Sequence, residues 1–192
     1  PLTAMALRQV GFVAELKREG SGVLSLHLAE RVSRRDLATQ LALIEHSAVK
    51  GDVTSALRHY DRALSVQPDA DAQLFPVLAR ALGHEDIRQG LTAYIQRPWF
   101  TRFVYHALAL GADPAAFGAL VNATGSRLDT ALRTRLAAET INSLIDREDF
   151  AAARRFASSL RNLPAGILDQ AGFPQGAYDP RLSVLGWQLA DN

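Results

Sequence analysis

Steps of 34 residues connect small residues to small and large to large along the first half of this chain. Gly22, Ala56 and Gly90 stand at one such interval, Leu26, Tyr60 and Tyr94 at the same interval, and Ala29 precedes Ala63 by the same step. A fixed period constrains a chain more than any single motif, because each copy buries its apolar face only against a neighbouring copy. Within GDVTSALRHYDRALSVQP, residues 51–68, the residues Ala56, Tyr60 and Ala63 fall four and three apart. They therefore share one face of a helix spanning 52–66, which opens after Gly51 and ends before Pro68. A face that reads small, large, small lets a neighbouring helix approach at the alanines while the tyrosine fills the gap between them. Leu43 repeats forward as Val77, and backward as Val10 with one residue fewer, so the first copy has a shorter turn.

With Gly51, Ala56, Tyr60, Ala63 and Pro68 so placed, the sequence resembles the tetratricopeptide repeat, most clearly over residues 3–97. The resemblance implies an all-α, right-handed α-α superhelix of about five antiparallel helix pairs over residues 1–163, followed by an irregular tail. The first repeat keeps Leu7, Val10 and Gly11. The third keeps Leu74, Val77, Gly90 and Tyr94 but has Arg97 at the last small position. The first helix of the second pair, residues 34–49, departs from the family with Gln40 at the large aromatic position and with Ile44 and Ser47 at the next two. Family ligand-facing positions fall on Met5, Arg8, Phe12 and Glu15, on Ala38, Leu41 and Glu45, and on Ala72, Phe75 and Ala79. These would line a concave groove for another protein or peptide segment. Members that clamp a partner's terminal carboxylate use lysine and asparagine there, and neither occurs at these positions, so a chaperone-docking role is not implied. A plainer alternative has Phe12, Leu41 and Phe75 packing against the next helix.

Beyond Pro98 the helical pattern continues without the period. RPWFTRFVYHALALG reads as a helix with Pro98 in its first turn, ending at Gly111. Asp113 and Pro114 mark the next start as cap and first position. Ser126 and Asp129 read as a capping box opening a long helix, with Leu128, Leu132, Leu136, Ile141, Leu144 and Ile145 on its apolar side. FAAARRFASSLRNL returns antiparallel, with Ala153 and Phe156 turned inward and Pro164 as its stop. Residues 164–192 are rich in Gly and Pro, too interrupted for another long helix. That tail is expected to fold back over the last helix pair with Phe173 and Trp187 buried; its alternative resting place is the groove, as a ligand supplied by the same chain. A start at Pro1, together with a candidate terminal strand after Leu182, favours a piece of a larger protein.

Composition removes several functions. Of 192 residues, 48% are hydrophobic and 21% charged, with a net charge of +1. Such balance argues against nucleic acid, which demands a concentrated basic surface. Lys17 and Lys50 are the only lysines among 21 basic residues, an arginine bias read as bacterial codon usage. Cysteine is absent, which excludes disulfides and thiolate chemistry and leaves cytoplasm and periplasm both open. The apolar run near 103–112 falls far short of the roughly 20 residues that span a bilayer. His27, His46, His59, His84 and His106 lack the helical spacing of a metal site and read as surface or half-buried. GSG at 20–22 and TGSR at 124–127 follow no strand, so they are turns rather than phosphate or nucleophile loops. Glu45 and Glu139, read as the only glutamates well inside helices, have no spacing that pairs them for hydrolysis. The expectation is a non-enzymatic interaction or scaffold module with no cofactor, no metal, no nucleic-acid partner and no membrane insertion. Its rivals are a spacer or regulatory domain of a bacterial envelope or polysaccharide-assembly protein, and an enzyme with its cleft in the groove.

Overall fold

A computed structural model describes residues 3–16 and 22–160, and among these all regular structure is helical. The α-helices are α1 (Ala4–Leu16), α2 (Gly22–Val32), α3 (Leu37–Val49), α4 (Val53–Val66), α5 (Asp71–Ala81), α6 (Glu85–Leu91), α7 (Pro98–His106), α8 (Pro114–Thr124), α9 (Thr130–Asp146) and α10 (Phe150–Ser159). Short 3-10 turns cover Pro68–Ala70, Thr92–Tyr94 and Gly125–Arg127. Pro164, Phe173, Trp187 and the tail that carries them lie outside the described residues.

Local chemistry explains where these helices start and stop. Asp36, Asp52, Asp113, Asp129 and Asp149 each accept the backbone N–H three residues on, from Thr39, Ser55, Ala116, Leu132 and Ala152. A carboxylate there satisfies an otherwise orphaned donor and complements the positive end of the helix dipole. Three connectors share one closure. Gly51 bonds back to the Ala48 carbonyl and Asp52 to that of Ser47; Gly111 bonds to Leu108 and Ala112 to Ala107; Glu148 bonds to Ile145 and Asp149 to Leu144. This is the Schellman arrangement, in which the residue past the helix takes positive φ: +71° at Gly51, +92° at Gly111 and 60° at Glu148.

Three sequence expectations are corrected. The long helix opens on Asp129, not Ser126: Gly125–Arg127 forms a 3-10 turn, Leu128 is extended, and Asp129 accepts the Leu132 N–H at 3.1 Å. α7 ends at His106, short of Gly111, because the chain tightens into the Schellman closure at Gly111. Where the 34-residue period would carry one helix on through Tyr94, α6 instead stops at Leu91 and a 3-10 turn follows. Gly90 weakens the last turn, and the Thr92 hydroxyl donates to the Gln89 carbonyl at 2.7 Å, an alternative to continued helix.

Two compact units divide the chain: Pro1–Val77 with Gln96–Phe100, and Leu78–Ile95 with Thr101–Asn192. In the N-terminal unit α1 pairs with α2 and α3 with α4, while α2 also packs on α3. The first pair closes tightly at Gly11, where a Cβ would stand 3.0 Å from both the Gly22 carbonyl oxygen and Leu26 Cγ. Leu26, Ala29, Leu43, Leu57, Tyr60, Ala63 and Leu64 are among its buried apolar residues. On the small-large-small face of α4, Tyr60 and Ala63 are buried while Ala56 is only half-buried, and burial pushes the Tyr60 hydroxyl up to about 12. Val10 and Val77, aligned with Leu43 by the period, are instead half exposed. Residues 96–100 join this unit through Asp61, whose oxygens accept Trp99 Nε1 and Arg97 Nη2, each at 2.9 Å.

In the C-terminal unit α8 packs on α9 and α10. Ala137, Ile141, Leu144, Ala152, Ala153, Phe156 and Leu160 make one apolar cluster, with Ala153 and Phe156 turned inward as their spacing predicts. Gly118 admits the Phe156 ring so closely that an added Cβ would meet it at 2.8 Å.

Two substitutions check this account by urea denaturation. Glu148→Gly relieves a positive φ on a residue with a side chain and is expected to add about 0.5–1 kcal/mol. Gly118→Ala is expected to remove about 1–3 kcal/mol by forcing the Phe156 ring from its place.

Candidate partner groove and the polar junction behind it

The first helices of the two N-terminal pairs, α1 and α3, are tied directly to each other. Arg8 Nη1 on α1 lies 2.5 Å and 2.7 Å from the two oxygens of Asp36, the N-cap of α3. The Thr39 hydroxyl and backbone N–H also donate to that carboxylate. Burial alone would raise the Asp36 carboxyl, but the bonds from Thr39 and Arg8 and the Arg8 charge outweigh it and hold the group below its usual range.

Around this tie the expected groove residues divide. Met5 and Glu45 are exposed, while Phe12, Ala38 and Leu41 are half-buried. Glu15 lies on α1, and its side chain is outside the described residues. Arg8 is committed to Asp36 rather than displayed. Phe75 is only 3% exposed and Ala79 is fully buried, so neither offers a side chain to a ligand. The buried side of α5 is the run Leu74, Phe75, Leu78 and Ala79, while Ala72 is exposed. A separate aliphatic row, Leu24, Leu28 and Val32, is exposed along α2 at steps of four.

Behind α3 lies a cluster that spacing did not reveal. Glu30 on α2, Gln40 on α3 and His59 on α4 are all buried, the last two at 1% exposure. Glu30 Oε1 accepts Gln40 Nε2 at 3.2 Å, stands 3.2 Å from His59 Nδ1, and accepts Arg62 Nη1. His59 Nδ1 also lies 2.9 Å from Gln40 Oε1. Both atoms facing Nδ1 are acceptors, so the neutral ring carries its proton there. His27, on the solvent side, approaches Glu30 Oε2 at 3.7 Å.

Electrostatics follow from this packing. Burial would raise the Glu30 carboxyl, but the Gln40 bond, the adjacent His59 ring and the Arg62 charge and bond together lower it. For His59, burial dominates over the attraction of Glu30, and the ring is pushed from 6.5 down to about 4, with Arg58, Arg62 and His27 adding to the fall. His59 is therefore neither surface nor half-buried, and Glu30 belongs among the glutamates seated within helices. Glu139, by contrast, pairs with Arg135 at 2.8 Å on an open face. Arg34 and Arg35 are exposed between α2 and α3, and Arg154 and Arg155 are exposed within α10.

Among the described residues no group of three His, Cys, Asp or Glu side chains is placed to hold a metal ion, and no helix is long and apolar enough to cross a membrane. No family model, no curated protein and no solved structure matches the chain.

The junction makes a sharp contrast measurable by urea denaturation. Glu30→Ala strands Arg62 and His59 and is expected to cost about 3 kcal/mol. Replacing Glu30, Gln40 and His59 together by leucine removes the carboxylate and its two buried partners, leaves only the partly exposed Arg62 to turn to solvent, and is expected to restore most of that loss.

Proposed function

We propose that the N-terminal unit is a non-enzymatic docking module, binding an extended or helical segment of another protein along the surface shared by α1 and α3. The observation that supports this reading is the Arg8–Asp36 bridge, which joins the first helices of two successive pairs while each remains packed on its own partner helix. Side-by-side first helices are how a helical-repeat protein builds a continuous recognition face, and the tetratricopeptide-like arrangement of the pairs is part of this proposal. Met5, Phe12 and Leu41 supply apolar contact, and Glu45 supplies charge at one end. Phe75 has no part in it. Apolar anchors beside a few charges suit a ligand that inserts aliphatic or aromatic side chains, with polar groups setting its direction.

Peptides selected on the purified protein from a random display library provide the test, with affinity read by fluorescence anisotropy. Phe12→Glu and Leu41→Glu are each expected to weaken a selected peptide by roughly tenfold or more, the scale of losing a buried anchor. Leu28→Glu on the exposed face of α2 is expected to leave affinity within about twofold, and all three variants should keep the helical circular-dichroism spectrum. Selected peptides that respond to Leu28→Glu and not to Leu41→Glu would move the docking face to α2 and end this reading.

A further inference from the structure

The Glu30–Gln40–His59–Arg62 junction is a poor choice for stability alone. It puts a carboxylate and an imidazole where three helices meet, in positions that leucine could fill. Its geometry nevertheless makes one demand on chemistry: His59 must remain neutral. The ring is 1% exposed, so a second ring proton would enter a site closed to solvent. From α4 itself the ring faces Arg58 and Arg62; from α2 it faces Glu30 and, with ring centroids 6.4 Å apart, His27; from α3 it faces the uncharged Gln40 amide. Three basic side chains thus surround it against one carboxylate, which already accepts from Gln40 and Arg62.

We propose that this junction is an acid-sensitive latch, by which acidification loosens the packing of α2, α3 and α4 while the C-terminal unit keeps its fold. The contrast between the units carries the second half. In the C-terminal unit the buried polar side chains among the described residues are the hydroxyls of Thr124, Thr134 and Thr140, which do not titrate. Its central cluster is entirely apolar.

The sign follows from linkage. His59 binds its proton at 6.5 when unfolded and at about 4 when folded. Its contribution to stability is therefore complete above 6.5 and is lost progressively as pH falls toward 4. Glu30, lowered from 4.5, and Asp36, lowered from 3.8, act in the same direction but only below those values. The interval from pH 7.5 to 5.0 thus isolates the histidine. One extra proton bound by the open state over that interval corresponds to roughly a 30-fold fall in the closing equilibrium.

Hydrogen–deuterium exchange of the whole chain at pH 7.5 and 5.0, corrected for intrinsic rates, reads this unit by unit. Peptides within 22–66 are expected to lose protection by about 30-fold, and peptides within 114–159 to keep theirs. His59→Gln, which retains a donor and cannot titrate, is expected to abolish most of that loss. Unchanged protection in 22–66, an equal loss in both units, or a His59→Gln protein with the pH response of the parent would each overturn the latch. The comparison of the two units in the unsubstituted chain stands alone if His59→Gln does not fold.

Discussion

A single carboxylate oxygen, Glu30 Oε1, gathers side chains from three helices. Gln40 reaches it from α3, and His59 and Arg62 reach it from α4, while Glu30 itself belongs to α2. Apolar contacts between helices tolerate small slides and rotations, since they have no direction. Hydrogen bonds do not, and an ionised group away from water is tolerable only when its partners are in place. The junction therefore sets how far along α3 and α4 the helix α2 must sit. It also gives the buried glutamine at position 40 its role, as a polar arm from α3 to Glu30 and His59. With α2 so held, Gly11 of α1 can close against Leu26, and Arg8 comes within reach of Asp36.

The two helical units are held together by different means. Among the described residues, the N-terminal unit sets charged side chains between helices: Arg8 with Asp36, Arg62 with Glu30, Arg97 with Asp61. The C-terminal unit relies on size matching, with Gly118 recessed to take Phe156 and alanines at 137, 152 and 153 permitting close approach. Close packing of that kind is insensitive to pH and salt but intolerant of added volume.

How much of this was readable in advance depended on the range of the interaction. The bounds of α4, the Asp113 cap before Pro114 and the inward Ala153 and Phe156 all follow from residues within a turn or two of one another, and spacing found them. Val10 and Val77 matched Leu43 in period yet lie half exposed, because a repeat of residue type does not guarantee the same face of a helix. Phe75 failed for the same reason, since α5 turns a different side inward. The polar junction joins positions separated by 10, 19 and 32 residues, so no local pattern contains it. One hint was present: Glu30 and His59 each adjoin a core residue, Ala29 and Tyr60, and Gln40 stands at an anchoring position. Polar residues on the shoulder of an apolar face, on three consecutive helices, are candidates for one another.

The shared connector geometry has a kinetic meaning. At Gly51 and Glu148 the last carbonyls of one helix, and at Gly111 those of the turn that follows α7, are closed by the following two N–H groups, and an aspartate one or two residues later starts the next helix. Every bond in such a turn links residues only a few positions apart. Turns of this type form on the time scale of short-loop closure and deliver α3 to α4, and α9 to α10, as preassembled hairpins, leaving little chain entropy to be lost in the search for partners. Of the three turns, the one at Glu148 is the least favoured, since there a residue with a side chain takes the positive φ.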